Sequence, residues 1–344
     1  MNVPETTPWL SILLPVYNVA PFLEECLLSI GDQIEDGVEV IALDDASTDG
    51  SQVLLEQLRR TRCPWLKTME HSTNQGISTA RNHLLAAARG TYVWFIDSDD
   101  IMIAGAVAAA RRIIQENTPD MIGCNFIKRR MRITFKERLS GPRVRRTFEG
   151  PTGELITERE VLVHGVFRSG NLYAWARIFR RAIHPDPNLF PDGLYFEDAH
   201  AIPRLLLHVE RYYHSASPWI IYRERAGSVM RTIDAHKAAH IGLSLRGLHG
   251  KFASCVQTMS LRTKYAVATF CTQMYVGSCR HMLRGDPSLF ARHWAEVVST
   301  MEQASPLSVG QLIGHYGVRP KRWWRAVKLL TWRYHPMLAH RLRM

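Results

Sequence analysis

The stretch Thr91–Asp100, TYVWFIDSDD, decides how the chain is read. β-Branched and aromatic residues run from Thr91 to Ile96, directly after Gly90. Such a run predicts a short strand buried on both faces. It ends in Asp97, Ser98, Asp99 and Asp100, and a helical pattern follows from about residue 104 to 115. Carboxylates therefore stand where a buried strand leaves the sheet, the edge at which open α/β sheets bind ligands. In an extended chain Asp97 and Asp99 point to the same side, because side chains alternate. Carboxylates held that close repel each other, and a hard cation such as Mg2+ or Mn2+ keeps them ionised. A lone Asp here would read as a turn or helix cap. The D-S-D-D cluster on an apolar strand reads as a metal site.

Outward from this strand the pattern alternates. Strands are expected at 10–15, 38–43, 66–70, 91–96 and 121–126, with helices at 21–30, 50–60, 77–88 and 104–115 between them. Strands alternating with helices predict an α/β fold with a mostly parallel central sheet covered by helices on both faces. The sheet is of a nucleotide-binding type, but neither GxGxxG nor GxxxxGK[ST] follows the first strand, which excludes a dinucleotide fold and a P-loop. Each strand instead ends in polar residues. They are Pro15-Val16-Tyr17-Asn18, then Asp44-Asp45-Ala46-Ser47-Thr48-Asp49-Gly50, then Asn74-Gln75-Gly76-Ile77-Ser78-Thr79-Ala80-Arg81-Asn82, then the carboxylate cluster. Four such ends make one polar rim.

Composition limits the alternatives. An apolar fraction of 46% over 344 residues supports a sizeable core. No apolar run reaches the ~18 residues of a membrane-spanning helix. The N-terminus lacks a basic segment before its apolar run, so Trp9–Val16 reads as a first strand and not as a signal peptide. Six cysteines without CxxC spacing fit reduced thiols in a cytoplasmic protein. The formal charge of +11 points to an anionic partner, and residues 128–146 hold nine basic residues against one Glu. No nucleic-acid partner is expected, because no helix-turn-helix or zinc motif appears and the basic runs flank the polar rim.

The motifs PVYN, DDASTDGS, NQGISTARN and FIDSDD, in that order and spacing, resemble those of family 2 glycosyltransferases with the GT-A fold, of the kind that build bacterial cell-surface glycans. The resemblance covers about residues 10–124. It implies a nucleotide-sugar donor, with UDP-sugars first, and places Pro15, Tyr17, Asn18, Asp44, Asp45, Asn74, Arg81, Asp97 and Ser98 around it. Asp45 suits the imide N–H of uracil, Asp44 the base or ribose, and Tyr17 can stack on the ring. Arg81 faces the diphosphate in the family; from the residues alone it is equally a solvated helix arginine. Asp99 is the expected direct metal ligand, with Asp97 on metal or ribose.

The segment 171–213 resembles the family's acceptor side, with Trp175, Glu197 and Asp198 as its marked residues. A carboxylate opening a helix stays ionised at neutral pH, which suits a general base. From the residues alone it is equally a structural cap; the resemblance implies that Asp198 is the base of an inverting displacement. Arg225 and Ser228, in YRERAGS, resemble a stretch that closes over the donor, or form an ordinary basic turn. The metal and the base act on opposite sides of the anomeric carbon, so different segments should supply them.

The expected organisation is a GT-A domain over 1–230, with a nucleotide-sugar half at 1–126 and an acceptor half at 127–230. A helical region follows over 231–344, with helices at 235–255, 261–282 and 287–303. A nucleotidyltransferase is the rival enzyme class, but the loop PVYNVAPF lacks the basic residues it would need. The tail 320–344 holds seven Lys or Arg, no acid, and Trp323, Trp324 and Trp332. It reads either as a helix packed on the protein or as a segment that seats on an anionic membrane surface. The second fits a lipid-linked acceptor in place of a free glycan, and an enzyme peripheral on the inner face of the plasma membrane.

Overall fold

The structure is a computed structural model that describes residues 7–130, 143–183, 186, 188–224, 233–316, 327, 330–334 and 336–337. The chain divides into two compact units. The first comprises residues 1–162, 171–193 and 208–225. The second comprises 163–170, 194–207 and 226–344, so it takes in two segments from before residue 230.

The first unit begins with the expected alternation. β1 is Leu10–Val16, α1 Ala20–Gly31, β2 Val38–Asp44, α2 Ser51–Thr61, β3 Leu66–Glu70, α3 Ile77–Ala87, β4 Tyr92–Phe95, β5 Ile101–Met102, α4 Ala106–Asn117 and β6 Met121–Arg130. Further strands are β7 Val144–Arg145, β8 Leu155–Ile156, β9 Arg177–Arg180 and β10 Tyr212–Glu224. The main path of the sheet runs β3-β2-β1-β4-β9-β6-β10-β5, with β7 on β6 and β8 on β10. β3, β2, β1 and β4 are parallel neighbours, so their C-terminal ends share one edge. β9 enters antiparallel between β4 and β6, which makes the sheet mixed.

Burial explains the pattern. Every residue of β1 and β4 is buried, as continuous apolar strands covered on both faces require. The core runs through Ile12, Leu14, Trp94, Ile122, Trp175 and Trp219. Gly90 sits where the chain presses on β1: a Cβ there would lie 2.6 Å from the Ser11 backbone N. The Glu39 carboxylate binds this corner, accepting from the Ser11 hydroxyl at 2.6 Å and the Arg89 N–H at 2.7 Å.

Among the short or disguised strands that escape the sequence pattern are β9 and β5. β9 reads RIFR, but Arg177 is buried and gives its guanidinium donors to the carbonyls of Tyr173 and Asn171. β5 is two residues long and pairs antiparallel with β10. The last strand, β10, is the longest of those given, spanning Tyr212–Glu224.

In the second unit, the stretch 235–255 is not one helix. It divides into Ala235–Leu243, a 3-10 turn Ser244–Leu248, and Lys251–Gln257. Gly250 has φ +64, and Gly247 lies where a Cβ would meet the His200 backbone, so both glycines break the run. Helices Leu261–Gly285, Pro287–Ala304 and Val309–Tyr316 follow. Trp332 is buried, and its carbonyl accepts the Tyr275 hydroxyl at 2.9 Å. It is therefore core, not a membrane-facing tryptophan; Trp323 and Trp324 lie outside the described residues. Among the described residues no helix is long and apolar enough to cross a membrane. All six cysteines are free.

His214 gives a test of this packing. Its ring lies between the Tyr212 hydroxyl, 3.0 Å from Nδ1, and Asn125 Oδ1, 3.1 Å from Nε2. Burial, aided by Arg177, pushes its pKa down to about 3. Above the ordinary histidine pKa of about 6.5 both folded and unfolded chains are neutral here. Below it the unfolded chain takes up a proton and the folded chain does not, so stability falls as pH drops from 6.5 towards 3. Urea denaturation at pH 7 and pH 5 should show wild type losing about 2 kcal/mol more than His214→Phe over that interval.

Candidate donor and metal site

Loops after β1 and β2 are built as one piece. Asn18 adopts φ 51; its Oδ1 accepts the Thr48 N–H at 2.8 Å, and its own N–H donates to Ser47 Oγ at 3.0 Å. Asp49 accepts the Ala20 N–H at 3.0 Å, and Ser51 Oγ accepts the Val19 N–H at 2.9 Å. Tyr17 stands 45% exposed beside them.

Asp45 is buried and fully engaged. Its Oδ1 accepts the Gln75 N–H at 2.9 Å and lies 2.6 Å from His71 Nδ1. Its Oδ2 accepts from Asn74 Nδ2 at 3.0 Å and the Gly76 N–H at 2.8 Å. A carboxylate accepts only, so the His71 proton sits on Nδ1. His71, which sequence reasoning missed, thus helps Asp45 shape the loop after β3. Asp44 is also buried. Its Oδ2 accepts the Ser47 N–H at 3.0 Å, while Oδ1 has no hydrogen-bond partner among the described residues. A cavity of about 770 Å3 beside it is lined also by Gln52, Thr68 and Glu70.

The carboxylate cluster closes the rim. Asp97, Asp99 and Asp100 bring one oxygen each within 4.8 Å of the others. Asp100 is 0% exposed. Its Oδ1 accepts the Arg223 N–H at 2.9 Å, and Oδ2 has no partner among the described residues. Burial, with Asp99 and Asp97 beside it, pushes its carboxyl well above the usual range. The same three carboxylates, after burial, raise the Tyr222 phenol. A buried oxygen without a donor next to two more carboxylates fits a divalent cation, which would be held by Asp97, Asp99 and Asp100.

Two arginines frame the cluster. Arg81 is 3% exposed; it donates to Asp97 Oδ1 at 2.9 Å and lies over the rings of Phe190 and Phe95. It is therefore not a solvated helix arginine. Arg223, which sequence reasoning did not single out, is buried. Its guanidinium donates to the carbonyls of Asp99 and Phe22 and to the Glu25 carboxylate. Ser98 is buried, and its hydroxyl donates to the Pro15 carbonyl at 2.6 Å, tying the cluster to β1.

The acceptor-side residues fall differently. Trp175 is buried in an aromatic stack with Tyr173 at 4.8 Å and Tyr222 at 5.9 Å between ring centroids. Its exposed neighbour is Tyr173. In the second unit, Glu197 is buried and precedes the helix Asp198–Leu206; Asp198 is half-buried in its first turn. Phe196 before them has φ +64, and the His240 Nδ1 accepts the Tyr195 N–H at 3.2 Å. Arg225 and Ser228 lie outside the described residues.

A helix-flanked mixed sheet with an acidic cluster at the C-terminal end of β4 is a GT-A-like scaffold. The chain matches, over residues 11–179, the family model described as Glycosyl transferase family 2. It is similar to the uncharacterized glycosyltransferase EpsJ of Bacillus subtilis (strain 168), 30% identical over 230 residues. That match covers 64% of this chain and 63% of EpsJ, under two thirds of the relative's length. The glycosyltransferase GlyG of Streptococcus pneumoniae is 22% identical over 235 residues, covering 65% of this chain and 73% of GlyG. In fold the chain is similar to S. aureus TarS 1–349, solved with UDP-GlcNAc. The TM-score is 0.65 at 21% identity, covering 94% of this chain and 91% of TarS 1–349.

Replacing the buried Arg223 by Met should cost about 3 kcal/mol in urea denaturation, because it strips donors from the carbonyls of Asp99 and Phe22 beside the carboxylates. A loss under about 0.5 kcal/mol would mean that this arginine does not brace the site.

Proposed function

We propose that the protein transfers a sugar from a nucleoside diphosphate sugar, a UDP-sugar first, to an acceptor hydroxyl in the synthesis of a bacterial surface polysaccharide. The observation that carries the proposal is the three-carboxylate cluster at the β4 end of a rim shaped by Asn18, Asp45 and Asn74. The match of residues 11–179 to that family model supports the donor class. Tyr17, which is exposed, stacks on the base in this reading, and Asp44, whose Oδ1 has no partner among the described residues, serves the base or ribose. In this reading Asp45 acts on the base side chiefly by holding the loop 74–76.

Asp99 and Asp97 would hold a divalent cation, Mg2+ or Mn2+, which when bound would neutralise the charge that builds on the departing diphosphate. Arg81 fixes the direction of Asp97 through their 2.9 Å hydrogen bond. Asp198, at a helix start, takes the acceptor hydroxyl's proton. As the oxygen forms its bond to the anomeric carbon, the bond to the diphosphate breaks with its electron pair. The anomeric configuration inverts. Glu197, Trp175, Arg225 and Ser228 belong to the same proposal as acceptor-side or diphosphate-side residues, Trp175 by supporting the exposed Tyr173.

The acceptor in this proposal is a glycan or a lipid-linked sugar. Peripheral attachment to an anionic membrane rests on the basic residues of the tail, since Trp332 is core.

Three outcomes follow. Asp99→Asn should lower release of nucleoside diphosphate at least about a thousandfold with unchanged thermal unfolding, and excess chelator should do the same to wild type. Full turnover in chelator would remove the metal from the mechanism. Asp198→Asn should remove turnover but leave the calorimetric affinity for UDP within about threefold of wild type. A folded Asp198→Asn protein that loses UDP binding would move this residue to the donor side.

A further inference from the structure

The second unit contains a cleft of its own, of about 590 Å3. It is lined by the C-terminal end of the helix Arg159–Ser169, the first turns of Leu261–Gly285, and His315. Its volume lies in the range of small-molecule sites.

Three kinds of group meet there. Arg168 and Arg262 are both exposed and both line it. Tyr265 and His315 stack with ring centroids 3.5 Å apart, and the Tyr265 hydroxyl donates to the Gln311 carbonyl at 3.0 Å, which holds the pair in place. Phe167 and Phe270, edge to face at 5.3 Å, add buried apolar surface. The exposed Gln273 adds an amide. Among the described residues none that lines the cleft is acidic.

Each kind of group selects. Guanidinium groups, that of Arg262 first, pair with carboxylate or phosphate oxygens in a fork geometry, and among the described residues no carboxylate lines the cleft. Aromatic rings accept the apolar face of a flat ring, and an amide offers both donors and an acceptor to hydroxyls. A neutral sugar uses only the last two. A bare anion uses only the first. We propose that this cleft binds an anionic saccharide, one whose ring carries a uronate or a phosphate, apart from the donor site. It goes beyond the transfer reading and does not depend on it, because every residue used lies outside the rim and the carboxylate cluster.

The test is calorimetry on the full chain with no donor present and with chelator, which silences the carboxylate cluster. The probes are trigalacturonate for the uronate, glucose 6-phosphate for the phosphate, and maltotriose as the neutral control. At least one charged probe should bind at least about tenfold more tightly than maltotriose. Arg262→Glu and His315→Ala change exposed residues, so the fold should persist. Each should weaken the charged probe about tenfold or more and leave donor-dependent turnover unchanged. Equal binding of maltotriose, undiminished binding to Arg262→Glu, or equally tight binding of triglutamate would overturn the proposal.

Discussion

Three aspartates can crowd the end of β4 because Arg223 holds the backbone beneath them. Its guanidinium occupies the carbonyls of Asp99 and Phe22 and reaches Glu25 on α1, while its own N–H serves Asp100. The cluster is thus fixed from β10, a strand more than a hundred residues away in sequence. Arg81 does the complementary work from α3, pairing with Asp97. Neither arginine neutralises the cluster fully: Asp100 keeps a buried oxygen with no partner among the described residues, and its carboxyl is pushed upward. That residual charge is what a bound cation would answer.

The rest of the rim follows the same logic of shape first and ligand second. Side chains that look like ligand contacts in the sequence partly spend their hydrogen bonds on one another. Asp45 is saturated by His71, Asn74, Gln75 and Gly76, and Asn18 is joined to Thr48. Such fully satisfied networks rigidify a loop. They leave Tyr17, Asp44 Oδ1 and the carboxylates as the groups with chemistry to offer.

The strands β1 to β4 and the helices α1 to α4 were legible because each is a separate periodic run bounded by turn residues, and β1, β2 and β3 pair with their sequence neighbours. β9 was not legible. Its arginines disguise it, and only the carbonyls of Tyr173 and Asn171 make burial of Arg177 tolerable. Arg223 was not legible because its partners, the carbonyls of Asp99 and Phe22 and the Glu25 carboxylate, all lie more than a hundred residues earlier in the chain. Trp332 was read with the tail's charges, yet its environment is set by Tyr275, fifty-seven residues earlier. The DSDD cluster itself was readable because carboxylates gathered at a buried strand end repel one another unless a cation lies among them. The organisation of the helical region was readable only as helicity; the breaks at Gly247 and Gly250 depend on a close approach to His200 and on a positive φ.

The central claim is that Asp97, Asp99 and Asp100 form one divalent cation site. Anomalous diffraction from crystals grown with Mn2+ and UDP tests it most directly. The account predicts a single strong manganese peak within coordination distance of Asp99. No peak at this cluster, with UDP bound on the rim, would contradict it.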